Sequence, residues 1–373
     1  MKSKDKAVEL LALAGVTING SAATDIQVKD ERLYDRVFSG GTLAMGEAYM
    51  DGWWDAQDLS GFFYKVLRAD LYKHLKNFST LWHFVRASVL NYQNKDRAFE
   101  VGEKHYDIGN DLYERMLGQR MVYTCGYWSS PTTPAKDLDD AQEQKLDLVC
   151  RKIGLKAGQT VLDVGCGWGS FAKFAAQRYG AKVVGITISK EQAALARERC
   201  KGLSVEIRVE DYRETVGQFD HIISLGMFEH VGPKNYRTYM QKMHELLKDD
   251  GIFLLHTIGT NVSVRQGDAW IDKYIFPNGV LPSVAKIGRP LERLFVMEDW
   301  HNFGPDYDKT LMAWDANFEK TWPEIKDKYN ERFYRMWRYY LLGCAASFRA
   351  RYCQLWQIVL TKRGMDGTYR PVR

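Results

Sequence analysis

Two observations in the middle third of the 373-residue chain predict an α/β fold with a mostly parallel sheet and helices on both faces. Short apolar runs alternate with segments of helical periodicity, and the first of those runs ends in a glycine-rich loop, VLDVGCGWGS. Alternation at that pitch calls for crossover helices that cover the sheet. Ligands of such sheets sit at the carboxyl ends of the strands.

In chain order, residues 1 to about 95 read as a small, mostly helical region. AVELLALAG is a helix ended by Gly15, TDIQVKD a strand, and LAMGEAYMDGWWDAQDLSGFFYKVLRADL two turns, at Asp-Gly and Ser-Gly, before an apolar-aromatic helix. LYKHLKNFSTLWHFVRASVL mixes Lys, Arg and His with Leu, Trp and Phe. Two readings of it stand: a basic amphipathic face resting on anionic lipid, or a helix packed on the main domain with a solvated basic edge. After the polar boundary NYQNKDRAFE, residues 96–120 form a linker and a helix, EKHYDIGNDLYERML, that leads into MVYTCGYW.

A catalytic domain is expected over 121–373. The proline-containing loop SSPTTPAKDLDD precedes a helix, DDAQEQKLDLVCRKIGL. Strands follow at TVLDV, KVVGITI, VEIRV, FDHIISL and GIFLLHTIG, with helices at SFAKFAAQRYG, KEQAALARERC and YRTYMQKMHELL. Beyond residue 260 the alternation lapses. WIDKYIFPNGVLPS, the strand-like RLFVMEDW and two helical stretches make an insertion over about 261–345, placed to cap a deep pocket, before a last strand at CQLWQIVLTKR.

Composition narrows the function classes. A hydrophobic content of 45% supports a large core. Lys and Arg total 52 against 47 acids, and this mild excess suits an anionic small molecule or lipid surface better than an obligate nucleic-acid partner. Cys125, Cys150, Cys166, Cys200, Cys344 and Cys353 form no C-x-x-C pair, which fits a reduced, cytoplasmic protein. Asp5 and Glu9 interrupt the first apolar run, so it reads as a surface helix and not a secretory signal. No stretch is long and charge-free enough to span a bilayer, so membrane contact is expected to be peripheral. The 49 aromatic residues (11 Trp, 21 Tyr, 17 Phe) serve core and interface, and some are free to line a long apolar pocket.

In the loop, Gly165, Gly167 and Gly169 permit a tight turn and close approach of backbone to a ligand, and Ser170 opens the next helix. The dinucleotide pattern G-x-G-x-x-G fits poorly, because Ser170 stands where its last glycine belongs. The loop instead resembles that of class I methyltransferases that use S-adenosylmethionine, with Asp163 as the acid that begins the motif. VVGITISKEQ resembles that family's second strand and turn, and IRVEDYR its third, where Glu210 and Asp211 either take ribose hydroxyls or the adenine amino group or are solvated loop acids.

The strings TCGYW, VLDVGCGWG, VVGITISKEQ, MFEHVGPKNY, FLLHTIG, DKYIFPNG, VMEDWHNFGPDYDKTL and SFRAR closely resemble the cyclopropane-fatty-acyl-phospholipid synthase family over residues 100–373. The region before them looks like the small helical domain of the bacterial phospholipid branch. The resemblance implies transfer of a methyl from S-adenosylmethionine to a cis double bond of a phospholipid acyl chain, then proton loss to a bound bicarbonate and ring closure. It places the anion site at Cys125, Glu229, His256 and Tyr307, with a backbone N–H at Ile258. Cofactor contacts fall on Tyr123, Thr124, Asp163, Gly165, Gly167, Gly169, Thr187, Ile188, Gln192, Glu210, Asp211 and Gly226. It also implies a homodimer working transiently at the inner face of the cytoplasmic membrane, with residues 1–95 docking on lipid.

Taken without the resemblance, Cys125 is equally a small buried hydrophobe, His256 a core histidine and Tyr307 the start of a helix. Glu229 and His230 are adjacent, so their side chains diverge, and they lack the H-E-x-x-H spacing of a zinc site. His230 is read as structural, Cys166 as part of the loop, and no metal is expected.

Overall fold

The computed structural model describes residues 3–71 and 109–373, which divide into two units. The first unit takes the N-terminal residues together with 265–277 and 307–353. Its helices are Ser3–Leu13, Leu33–Met50, Leu59–Arg68, Ala269–Tyr274, Glu331–Arg349 and most of Pro305–Ile325. A two-residue antiparallel pair joins Gln27–Val28 to Trp54–Asp55. Trp54, Tyr49, Phe62, Leu33 and Leu342 are among its core side chains. Gly46 lets the Trp270 indole lie directly on the second helix, since a Cβ there would fall 2.3 Å from the ring.

Two sequence expectations change here. Ser60-Gly61 is not a turn: Asp58 caps a helix that contains both, accepting from the Gly61 N–H at 2.8 Å. The helices expected to cap the catalytic domain group with the N-terminal helices, because apolar positions such as Leu342 complete that unit's core. The basic-aromatic stretch KHLKNFSTLWHFVR and the boundary at residue 95 lie outside the described residues.

Of the described residues, the second unit holds 109–264, 278–306 and 354–373. Its seven strands are β1 (Thr160–Val164), β2 (Lys182–Thr187), β3 (Val205–Val209), β4 (Phe219–Leu225), β5 (Leu247–Thr260), β6 (Val296–Asn302) and β7 (Cys353–Thr361), in the order β3-β2-β1-β4-β5-β7-β6. The first five pair in parallel, and β6 and β7 are antiparallel to each other. Period-2 alternation sends Val161 to one face, with Phe171 and Phe174, and Leu162 and Val164 to the other, with Phe228, Tyr236 and Met240. Asp137 and Ser189 cap the helices Leu138–Lys152 and Lys190–Arg199. Strand order reverses between β1 and β4, where registers Val164↔Ser224 and Leu225↔His256 set the ends of β1, β4 and β5 side by side. That crevice is where such a sheet receives a ligand. Among the described residues no helix is long and apolar enough to cross a membrane.

Candidate active site

The glycine loop leaves β1 with Gly165, Gly167 and Gly169 at φ of 81°, 54° and 74°. The N–H groups of Gly165 and Cys166 both donate to the Ile186 carbonyl, at 3.0 and 2.9 Å, which folds the loop over β2. A Cβ on Gly165 would come within 2.9 Å of the Met227 side chain, so only glycine serves at this conformation and contact. Ser170 is the first residue of its helix, with Gly169 as cap, and its hydroxyl donates to the carbonyls of Arg120 and Met121. Asp163 is buried on β1 with Oδ2 unpartnered among the described residues, and burial raises its carboxyl to about 7.

At the end of β2, the Thr187 hydroxyl donates to Gln192 Oε1 at 2.9 Å, and Ser189 caps the helix that carries Gln192. Ile188 lies between Thr187 and Ser189 in sequence. The Glu210 N–H donates to the Thr187 carbonyl at 3.1 Å and brings the acidic loop alongside. Both acids have local partners. Glu210 accepts from the Thr215 hydroxyl at 2.8 Å, and the buried Asp211 accepts from the Arg213 N–H and guanidinium, each at 2.9 Å. Asp211 is therefore not a solvated loop acid.

At the exit of β4, Gly226 has φ of 72° and donates its N–H to the His256 carbonyl at 2.9 Å. A 3-10 turn, Phe228–His230, then carries Glu229 into the interior. Glu229 Oε1 accepts from the Ile258 N–H at 2.7 Å, while Oε2 is buried with no partner among the described residues. The family pattern assigns that N–H to the anion. Here it caps the glutamate, because β4 has ended and the amide lies beyond the last register pair, Leu225↔His256. Burial pushes the Glu229 carboxyl up to about 7, against the pull of the Ile258 N–H. Neighbouring His230 is half-buried and is held neutral, lowered to about 4 by desolvation alone.

His256 Nδ1 lies 3.3 Å from Gln357 Nε2 on the next strand, and its Nε2 is buried without a partner among the described residues. Burial, then the cations Lys145 and Lys152, hold the imidazole well below its ordinary value. Tyr123, Thr124 and Cys125 follow the helix Asn110–Leu117. The Tyr123 ring meets Tyr113 at 5.2 Å, and the Cys125 thiol is fully buried with Sγ 3.1 Å from the Gly126 carbonyl. Tyr307 belongs to the first unit, buried on the helix Pro305–Ile325 with its ring 4.5 Å from that of Phe348.

Within the second unit, then, the expected residues meet in pairs: Thr187 with Gln192, Glu229 with Ile258, and Gly226 with both Thr124 and His256. Sequence reasoning missed Gln142, Lys145 and Gln357. Only Gln357 left a signal, as a lone polar residue within the apolar run LWQIVL; in QEQKLDLV, Gln142 and Lys145 read as part of a solvated helix face.

Strand order 3-2-1-4-5-7-6 with a glycine loop after the first strand defines a class I methyltransferase that uses S-adenosylmethionine. A family model described as mycolic acid cyclopropane synthetase matches residues 93–358, and the chain belongs to that family. It is 53% identical over 366 residues to the cyclopropane-fatty-acyl-phospholipid synthase of Escherichia coli (strain K12), covering 98% of this chain and 94% of that one. Solved structures agree: the cyclopropane synthase MmaA2 from Mycobacterium tuberculosis has a TM-score of 0.66 at 29% identity, over 71% of this chain and 98% of that one. Mycolic acid cyclopropane synthase CmaA1 complexed with SAH and CTAB has a TM-score of 0.65 at 30% identity, with the same coverage.

Proposed function

We propose that the chain moves a methyl group from S-adenosylmethionine to the cis double bond of an acyl chain in an assembled phospholipid and closes a cyclopropane ring. The observation that carries this reading is the 53% identity, end to end, with the Escherichia coli phospholipid enzyme. In the first half, the alkene π electrons form a bond to the methyl carbon, the carbon–sulfur bond breaks toward sulfur, and positive charge stays on the other alkene carbon. In the second half, a proton leaves the transferred methyl and the electrons of that C–H bond close the ring. One methyl enters and one proton leaves, a net gain of methylene.

For the first half the protein supplies orientation and dryness. Gly165 and Gly226 keep the crevice free of side chains at the loop and strand exit, and the fully buried Cys125 and His256 sit where bulk water does not reach. For the second half, Glu229, His256 and Cys125 would hold a bicarbonate ion, with the Ile258 N–H fixing the Glu229 carboxyl. The residues of the second unit fit that group: Glu229 Oε2 and His256 Nε2 are buried polar atoms lacking partners among the described residues, one on an acid near neutrality and one on a neutral ring. Bicarbonate, when bound, supplies the proton acceptor. A carboxyl with a value of about 7 shares a proton with an anion where an ordinary glutamate would repel it.

The test is incubation of the full-length chain with methyl-labelled S-adenosylmethionine and vesicles of unsaturated phospholipid, with the product read by mass and NMR. A ring is expected. A methyl-branched or methylene product would make the chain a different lipid C-methyltransferase, and lipid uptake without affinity for S-adenosylmethionine would make it a lipid-binding protein. Glu229→Gln, His256→Ala and Cys125→Ser are expected to lower ring formation more than cofactor affinity. The loss is about 10- to 100-fold where one charge-assisted hydrogen bond goes.

The stretch KHLKNFSTLWHFVR supports a docking role at anionic headgroups for the residues before 95. Charge reversal at Lys73, Lys76 and Arg86 is expected to lower sedimentation with anionic vesicles and turnover on them together. Unchanged vesicle binding would remove that role.

A further inference from the structure

The helix Leu138–Lys152 carries a cation that the reading above leaves without a task. Asp137 caps this helix, and the face it turns inward holds Ala141, Gln142, Lys145, Leu146 and Val149. Lys145 is wholly buried. Desolvating an ammonium opposes folding, and a face needing only packing does as well with leucine. The two polar residues share one target. Gln142 Nε2 donates to the Thr124 carbonyl at 2.7 Å, and Lys145 Nζ donates to the Thr124 hydroxyl at 2.8 Å. From the other side Gly226 admits the Thr124 methyl, which would lie 2.8 Å from a Cβ at that position. Thr124 is thus held at its carbonyl, its hydroxyl and its methyl.

These contacts form a continuous path: Lys145 to Thr124, Thr124 to Gly226, and the Gly226 N–H to the His256 carbonyl. Cys125 is the next residue in the chain. We propose that Lys145 is a positioning residue for this reaction, clasping Thr124 so that Cys125 stands beside the Glu229–His256 pair and placing a positive charge behind the anion held there. The inference deepens the bicarbonate reading and rests on it.

Electrostatics agree with the geometry. Burial lowers the Lys145 ammonium to about 7, opposed by the nearby Cys125 and Asp163. Asp163, raised to about 7 by burial, is in turn drawn down by Lys145. The same ammonium helps to keep His256 neutral. An ammonium, a carboxyl and a thiol are thus buried neighbours, and an anion bound at the site supplies the charge that the lysine lacks.

The experiment measures bicarbonate binding, not turnover. Full-length chain saturated with S-adenosylhomocysteine is titrated with [13C]bicarbonate and followed by NMR line broadening, with S-adenosylhomocysteine affinity measured separately by calorimetry. The wild type is expected to bind. Lys145→Met is expected to weaken bicarbonate by about 10- to 100-fold, the range for a charge-assisted contact, with a much smaller change in S-adenosylhomocysteine affinity. Equal bicarbonate affinity in wild type and Lys145→Met overturns the inference and leaves the anion reading standing. No binding by the wild type overturns the anion reading itself and the inference with it. Should Lys145→Met not fold, Thr124→Val decides, because it keeps shape and removes only the acceptor. Bicarbonate binding weakened in Thr124→Val and recovered in Thr124→Ser supports the clasp, and unchanged binding in Thr124→Val refutes it.

Discussion

The side-chain amide of Gln357 on β7 donates to Nδ1 of His256 on β5 across 3.3 Å. A donor at Nδ1 keeps that nitrogen as an acceptor, so the proton of the neutral ring resides on Nε2. Burial and the ammonium groups of Lys145 and Lys152 keep the ring neutral. His256 therefore offers an N–H into the site at any pH near neutrality. In [15N]histidine-labelled protein, the signal lost in His256→Ala is expected to report the neutral Nε2–H form. Gln357→Leu removes the donor, mixes the two tautomers, and lowers kcat by about tenfold with little change in KM for S-adenosylmethionine. A wild-type ring protonated on Nδ1 would contradict this assignment.

Glu229 carries a pH dependence whose sign follows from its environment. Its carboxyl is raised from its ordinary value of 4.5 to about 7, chiefly by burial. A group raised on folding leaves stability whole below the unfolded value and erodes it as pH climbs through the folded one. Between pH 4.5 and 7 the erosion amounts to about 3 kcal/mol. Glu229→Gln cannot ionise, so the variant is expected to gain on the wild type over that window while losing activity. Urea midpoints of both proteins at pH 5 and pH 8 check it, and parallel pH curves would mean that Glu229 ionises freely in the folded state.

How much of this was legible before the structure depends on which physical signal each part left behind. β1 to β5 were readable because apolar runs bounded by polar and glycine residues have few other interpretations. Ser60-Gly61 misled because a glycine inside a helix looks like a stop, and only the Asp58 carboxylate reaching back to Gly61 reveals a start. Glu229 and His230 look alike in the sequence. Register separates them, since Leu225↔His256 sets the end of β4 against β5 and leaves the Ile258 N–H for Glu229. Lys145 stayed hidden for a different reason: a lysine in a helix normally marks the solvated face, and nothing local says that this one faces inward.

Gly226 ties these parts together, and its replacement is a sharp test of the crevice. At φ of 72° an alanine is strained, and its Cβ would stand 2.8 Å from the Thr124 methyl. Gly154, at φ of 59° where the helix Leu138–Lys152 ends, meets nothing within 4 Å among the described residues, so alanine there carries the backbone term alone. Gly154→Ala is expected to cost about 1 kcal/mol in urea denaturation. Gly226→Ala should cost about 2 to 4 kcal/mol, the added part coming from a side chain that Gln142 and Lys145 prevent from backing away. Because Thr124 must move for the methyl to fit, Gly226→Ala is also expected to weaken S-adenosylhomocysteine binding, which Gly154→Ala leaves unchanged. Equal costs for the two alanines, with cofactor affinity intact in both, would mean that Thr124 is not held and that the clasp does not constrain the crevice.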